Sequence, residues 1–505
     1  MPLFITTRTN VDRHGVFAQE VPLAPVIQPD GTGVVGLVGR FPWGPDDQVI
    51  LPTDQVDREM ILAPPGMDRT GTGFMAVFGK AWPDLRLVRA LGSAAAKASK
   101  VLNDTTPSTT AICTVTAKYK GAAGNSINVA VEAATDADTN HWNLRVSVTG
   151  ASGSTEELHE NIDTSVSGAP VFPETIAQSR LIGPITVTNA GRPDTAAAAA
   201  MAGGSDGTID AARYVGTPGN ADRGIALFEG DDDIRLVCSD DPGSTDRVAV
   251  NAGLLAHAVL LGDRMAILNG NSGMDVAAAK TAMSSNRSHL AAWADGWYYQ
   301  YDPLTVERLV PPAPLFASIL ANLPPSTSGA YKGDLVQNLT LGVRRLETPR
   351  GNAAGQLTKA GACVLIRESN GGHTFEAAVT TIFPTTPAKK NITRTRMGIY
   401  IAKAITESLR IMVDAPNLEV IRDEIIQAAE TFLHGLKTAK DNDPINNVHI
   451  VDYWWDDFAA WNSQASIDAG DYVLPLNVKT SSGLERIFLA FRYGETVNRI
   501  YVEAA

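Results

Sequence analysis

The sequence predicts a multidomain α/β chain with an inserted β-sandwich domain and a strand-like arm at each end. Three observations carry that expectation. At 505 residues the chain exceeds what one core holds, and about 100–200 residues per domain gives roughly three or four domains. From Gly203 onward, short apolar runs alternate with helical segments, the pattern of a mostly parallel sheet covered by helices. Between about Thr109 and Thr188, apolar and polar residues alternate between turns, as strands with one buried face do.

The front arm, Leu3–Arg8, is followed by a loop rich in Pro and Gly and then by Val34–Gly39, a compact apolar run that reads as a buried strand. Trp43-Gly44-Pro45 forces a turn. A second strand is expected at Leu85–Ala90, and Ser93–Lys100 reads as a linker or short helix closing the first domain. Ala111–Lys118, Ile127–Ala133 and Trp142–Thr149 are strands of the insertion, which ends before the low-complexity run Ala196–Ala200. The α/β pattern then places strands at Gly224–Phe228, Ile234–Cys238 and Met265–Leu268, with a helix over Arg247–Leu261.

In the last domain, Ile401, Ala404, Ile405, Leu409 and Met412 fall on one face of a helix over Arg396–Met412, with Lys403 and Glu407 paired on another. Asp414-Ala415-Pro416-Asn417 breaks it, and Asn417 is placed to cap a second helix with a Leu418, Ile421, Ile425, Phe432, Leu436 stripe. Strands at Tyr472–Val478 and Leu484–Tyr493 lead into the back arm, Val497–Glu503, which is rich in β-branched and aromatic residues. A terminal strand needs an edge. Either its own sheet supplies one or a neighbour's does, and the second case makes a polymer.

Composition narrows the function. A net charge of −13 disfavours nucleic acid as the main partner, because phosphate binding needs a basic surface. Three dispersed cysteines, Cys113, Cys238 and Cys363, suggest neither a disulfide framework nor a zinc site, and point to synthesis in a reducing cytoplasm. The N-terminus lacks the pattern of a secretory leader, and no run approaches the ~20 apolar residues of a membrane span.

Read in order, several segments resemble a contractile tail sheath protein of a bacteriophage or phage-like particle. They are Val38-Gly39-Arg40 with Trp43-Gly44-Pro45, Val88-Arg89, Tyr119–Asn125, Gly203–Gly207 with Tyr214-Val215-Gly216, Met265–Asn269, Ala292-Trp293 through Tyr301-Asp302-Pro303, Pro311-Pro312, and Arg394-Thr395-Arg396 opening a helix that ends at Val413–Asn417. The resemblance covers nearly the whole chain. It implies a subtilisin-like α/β core domain without a catalytic triad, an outward-facing β insertion, and an α+β C-terminal domain facing an inner tube, with exchanged terminal strands. The expected division is an arm at 1–20, an α/β domain at 21–105, the β-sandwich at 106–195, the subtilisin-like domain at 196–378, the tube-facing domain at 379–494 and an arm at 495–505.

The resemblance also implies site residues and partners. Intersubunit arm residues are Leu3, Phe4, Ile5, Thr6, Val497, Arg499, Ile500, Tyr501 and Val502, received on acceptor strands carrying Val473, Leu476, Val478, Ile487, Leu489 and Phe491. Glu419, Arg422, Asp423, Gln427 and Glu430 form a polar helix face offered to the tube. Expected partners are further copies in a helical sheath of stacked rings, an inner tail tube protein, and baseplate and tail terminator proteins. No cofactor, metal, nucleic acid or direct membrane insertion is expected. The location is the virion tail, assembled in the host cytoplasm.

Two rival readings stand beside this one: a static shell protein, and a serine-hydrolase-like enzyme. Gly203-Gly204-Ser205-Asp206-Gly207 matches the G-x-S-x-G elbow, but the Ala-rich stretch before Ser205 is unlike a core strand, and His257 reads as a packed core residue. Gly31–Gly36 matches G-x-G-x-x-G, yet a strand follows where dinucleotide binding needs a helix. Asp231-Asp232-Asp233 and Asp240-Asp241 read as solvated acidic loops, and Tyr453-Trp454-Trp455 with Trp461 as packing aromatics.

Overall fold

The computed structural model describes residues 27, 33–104, 109–136, 138–167, 170–171, 174–332, 342–369, 371–383, 385–386, 389–410, 419–438, 450–480, 488–491 and 500–503. Two compact units divide the chain, residues 31–396 and residues 1–30 with 397–505.

The larger unit is built on an eight-stranded sheet. Its order is His373–Phe375, Ala362–Arg367, Ala291–Asp295, Met265–Asn269, Leu236–Ser239, Val34–Gly39, Asp84–Arg89 and Val49–Ile50. The inner strands run parallel, and the short edge strands Val49–Ile50 and His373–Phe375 pair antiparallel. Val34–Gly39 is buried at every position, as a strand covered on both faces must be. Gly36 faces the Phe228 ring so closely that a Cβ there would sit 3.1 Å from it.

The helices follow from local signals. Arg247–Leu261 ends where Gly262 takes the left-handed conformation at φ 70°, which only glycine adopts at little cost. Pro312–Ala321 has proline in its first turn and is buried along its length.

The α/β domain expected at 21–105 and the subtilisin-like domain expected at 196–378 share this one sheet. Val34–Gly39 lies between Asp84–Arg89 and Leu236–Ser239, so segments on both sides of the insertion share one layer. Gly224–Phe228 is not a strand but part of a 3₁₀ helix, Gly224–Gly230. Gly224 has φ 54° and lies against the Tyr214 carbonyl, where a Cβ would approach to 2.2 Å; composition alone does not separate such a turn from a short strand.

The insertion consists of two four-stranded sheets around one core. One has the order Ser99–Asp104, Thr110–Thr116, Ile185–Val187, Pro170–Val171; the other Ala196–Ala200, Asn128–Ala133, His141–Gly150, Gly153–Asp163. Trp142, Leu144, Val146 and Val148 alternate inward from one strand toward Cys113 and Val115 of the other sheet. The alanine run, expected to lie outside the insertion, is instead an exposed edge strand paired with Asn128–Val131. Ser93–Lys100, expected as a linker or short helix, is irregular up to Ala98, and its last two residues open strand Ser99–Asp104. Alanine has weak strand preference, so pairing and not propensity makes this edge.

His257 shows how the larger unit uses a buried titratable group. It is 5% exposed in helix Arg247–Leu261, its Nε2 3.4 Å from the Arg264 guanidinium. Burial first, and Arg264 second, push its pKa down from 6.5 to about 4. A depressed folded-state value gives stability that is present above the unfolded pKa and is lost as pH falls. Urea unfolding is therefore expected to show a loss between pH 6.5 and 4, of up to about 3 kcal/mol, that His257→Gln removes. An unchanged pH profile in that variant would contradict this.

In the smaller unit, helices Ile392–Leu409 (from Met397 on) and Glu419–Thr438 enclose a core of Met397, Tyr400, Ile401, Ala404, Ala429, Leu433 and Leu436, joined by Ile27 and Ile450. Lys403 and Glu407 form the expected pair at 3.1 Å. Asn417, Leu418 and Met412 lie outside the described residues. No described helix is long and apolar enough to cross a membrane.

Candidate functional site

The terminal strand is the first candidate. Ile500–Glu503 pairs antiparallel with Phe488–Phe491 of the same chain, in the register Phe488 with Glu503, Leu489 with Val502, Ala490 with Tyr501 and Phe491 with Ile500. This ladder has two strands among the described residues, and two strands alone are marginal in water. Leu3, Phe4, Ile5, Thr6, Ile487, Val497 and Arg499 lie outside the described residues.

The expected hairpin between the two acceptor segments is corrected. Leu476–Thr480 pairs with Ile450–Trp455, not with Phe488–Phe491. Leu476 and Val478 pack on the helical core, while Val473 precedes the strand and is 42% exposed. Pro475 stands just before this strand, where its missing N–H removes no ladder bond.

The polar face of helix Glu419–Thr438 is partly engaged within its own unit. The Arg422 guanidinium lies 5.6 Å from the Tyr472 ring, and Glu430 accepts the Trp455 indole N–H at 2.9 Å. Glu419, Asp423 and Gln427 are exposed. The aromatics divide: Trp455, Phe458 and Tyr472 form a chain of ring contacts, whereas Trp454 and Trp461 are about half exposed. An isolated exposed tryptophan on a strand was not legible from the sequence, because partner choice decides which face is covered.

Several of the short motifs converge on a joint between the central sheet and the insertion. Arg89, fully buried at the end of strand Asp84–Arg89, donates to the carbonyls of Phe41 at 2.7 Å, Pro42 at 2.9 Å, Gly44 at 2.8 Å and Lys120 at 2.7 Å. Burial lowers its pKa to about 10, so it remains charged at neutral pH. Asp206 Oδ1 lies 3.9 Å from the guanidinium and accepts the Ala122 N–H at 3.0 Å. Gly121 has φ 129°, and a Cβ there would lie 2.6 Å from the Arg89 guanidinium. Asn125 exchanges two hydrogen bonds of 2.8 Å with the Gly204 backbone.

Beside it, Asp240 is buried between the Arg40 N–H at 2.9 Å, the Tyr214 hydroxyl at 2.7 Å and the Thr72 hydroxyl at 3.1 Å. Burial raises the Asp240 pKa, opposed by Arg40 and the Tyr214 hydroxyl. Asp241 pairs with Arg247, and Asp231 accepts from Arg86 at 3.0 Å. The acidic runs thus bind arginines, and no group of metal-ligating side chains is found among the described residues.

Ser205 sits in this joint as an exposed residue bridged to Ala96, its hydroxyl accepting the Gly207 N–H at 3.1 Å. The strand and helix that an elbow requires do not flank it. Treatment with a fluorophosphonate probe is expected to leave the protein unlabelled; labelling lost in Ser205→Ala would restore the hydrolase reading.

No protein-family model matches the chain, and no curated protein matches it. Solved structures do. The chain is similar to the sheath tail protein from Listeria innocua (13% identity, TM-score 0.55, covering 81% of this chain and 85% of that one). It is similar to the sheath tail protein from Desulfitobacterium hafniense (18% identity, TM-score 0.58, 88% and 93%). The anti-feeding prophage helical sheath in its contracted state matches over 97% of this chain and 100% of that one (14% identity, TM-score 0.56).

Proposed function

We propose that this chain, whose fold is that of the contractile tail sheath proteins, is the repeating subunit of a contractile sheath. The observation that carries the reading is the end-to-end match to a sheath chain, insertion and C-terminal unit included. On this reading the central sheet is a subtilisin-like α/β domain that has no enzymatic task. The insertion faces outward, and the unit containing Glu419–Thr438 faces an inner tail tube, with Glu419, Asp423 and Gln427 as its contacts and the exposed Trp454 and Trp461 available to a neighbouring protein.

Copies join through heterologous contacts with a rise, which build a helix of stacked rings and do not close on themselves. The terminal arms are exchanged: Ile500–Glu503 of one copy pairs with Phe488–Phe491 of another, and the front arm of a third adds to the same ladder. What supports this is that the ladder has only two strands among the described residues, and that swapping an intramolecular strand for an identical one keeps every hydrogen bond. Contraction then repacks domain faces between two stable arrangements while the arms hold the mesh, and it needs no nucleotide hydrolysis. The sheath ends on baseplate and terminator proteins and drives the tube through an envelope.

Electron microscopy of the purified protein tests the reading. A sheath gives an extended helical form on its tube and a shorter, wider contracted form; a single invariant lattice would identify a static shell instead.

A further inference from the structure

Away from the joint and the terminal strand, the larger unit contains a half-open cavity of about 510 Å³ rimmed by Arg344, Arg345, Arg350, Arg367, His373 and Glu376. That volume is within the ~300–1,000 Å³ of ordinary ligand sites. Its charges are unevenly satisfied. Arg350 makes a two-pronged bond to Asp295 at 2.7 and 2.9 Å, and Arg345 bonds Glu307 at 2.9 Å. Arg344 lies over the Tyr301 ring at 4.5 Å and, like Arg367, has no carboxylate partner among the described residues; both are exposed. Glu376 Oε2 is buried with no hydrogen-bond donor among the described residues.

An occupant must therefore bring two things at once: an anionic acceptor for the rim guanidiniums and a donor for the buried carboxylate. An inorganic oxyanion supplies the first and is repelled by Glu376. A polypeptide segment bearing an Asp or Glu supplies both, its carboxylate to Arg344 and Arg367 and a backbone N–H to Glu376. We propose that this cavity receives an acidic segment of a second copy of the chain. Charge complementarity favours that source: each copy carries a net charge of −13, so copies repel except where a basic cavity meets a carboxylate. The proposal rests on the sheath reading, since it needs copies to pack.

The test compares the wild type with the Arg344→Gln, Arg367→Gln double variant. Both side chains are exposed, so the monomer melting temperature is expected to stay that of the wild type. The double variant is expected to raise the critical concentration for polymerisation by roughly tenfold or more and to flatten its salt dependence. Benzoylphenylalanine in place of Ile366, which lines the same cavity, is expected to crosslink to an acidic segment of another copy. A wild type that forms no helix removes the sheath reading itself. A wild type that polymerises beside a double variant of equal critical concentration overturns this proposal alone, as do crosslinks confined within one chain.

Discussion

A chain lacking residues 495–505 is expected to fold and to remain monomeric under conditions where the full chain forms helical polymers. The deletion removes Ile500–Glu503 and with it every register pair of the terminal ladder, but takes nothing from the core of Met397, Ile401, Leu433 and Ile450. Helix content by circular dichroism is therefore retained. With the arm gone no strand ties one copy to the next, and about four backbone hydrogen bonds per junction at a net ~0.5–1.5 kcal/mol each come to roughly 2–6 kcal/mol, a large share of the ~8 kcal/mol of a micromolar contact. Deleting residues 1–12 is expected to act in the same direction through the front arm. Sedimentation velocity with electron microscopy reads both variants. Wild-type-like polymers from both truncations would sink strand exchange while leaving the fold assignment intact.

The chain's own residues explain why some of this was legible and some was not. Val34–Gly39 and Arg247–Leu261 were readable to the residue, because a short apolar run, a longer helix-forming one and a closing glycine are local signals. Pairing is not local. Nothing in Leu476–Thr480 states that its partner is Ile450–Trp455 and not Phe488–Phe491, and nothing in five consecutive alanines announces an edge strand. The same limit applies to the site. The terminal strand was visible as an arm without a core, but its partner within one chain was not.

The motifs behave differently. Trp43-Gly44-Pro45, Val88-Arg89, Tyr119-Lys120-Gly121 and Gly204-Ser205-Asp206 each looked weak and separate, and the fold brings them to one guanidinium. Their common purpose is to hold the point where the chain leaves the central sheet for the insertion and returns. A nucleophile elbow was the wrong chemistry for Ser205 because the neighbouring glycines serve close backbone approach: a Cβ on Gly204 would meet the Gly121 carbonyl at 2.5 Å.

Arg89→Met is accordingly expected to be the most damaging single substitution in the larger unit. The guanidinium donates to four carbonyls, of Phe41, Pro42, Gly44 and Lys120, from a fully buried position. Methionine fills similar space but leaves those carbonyls without their donor, at ~1–3 kcal/mol for each that stays buried and dry. Some will reach water as the Trp43-Gly44-Pro45 turn loosens, so a total of about 3–5 kcal/mol is expected, as for one-sided removal of a buried charged partner. Arg89→Lys should recover only part of it, because an ammonium cannot present the planar set of donors that spans both segments. A multidomain chain need not unfold in one step, so the sharper measurement is local: limited proteolysis should cut first near residues 41–46 and 118–125 in the methionine variant. Equal cleavage and an equal urea midpoint in Arg89→Met and the wild type would mean that the joint is held by the sheet and the insertion core, with the guanidinium incidental to it.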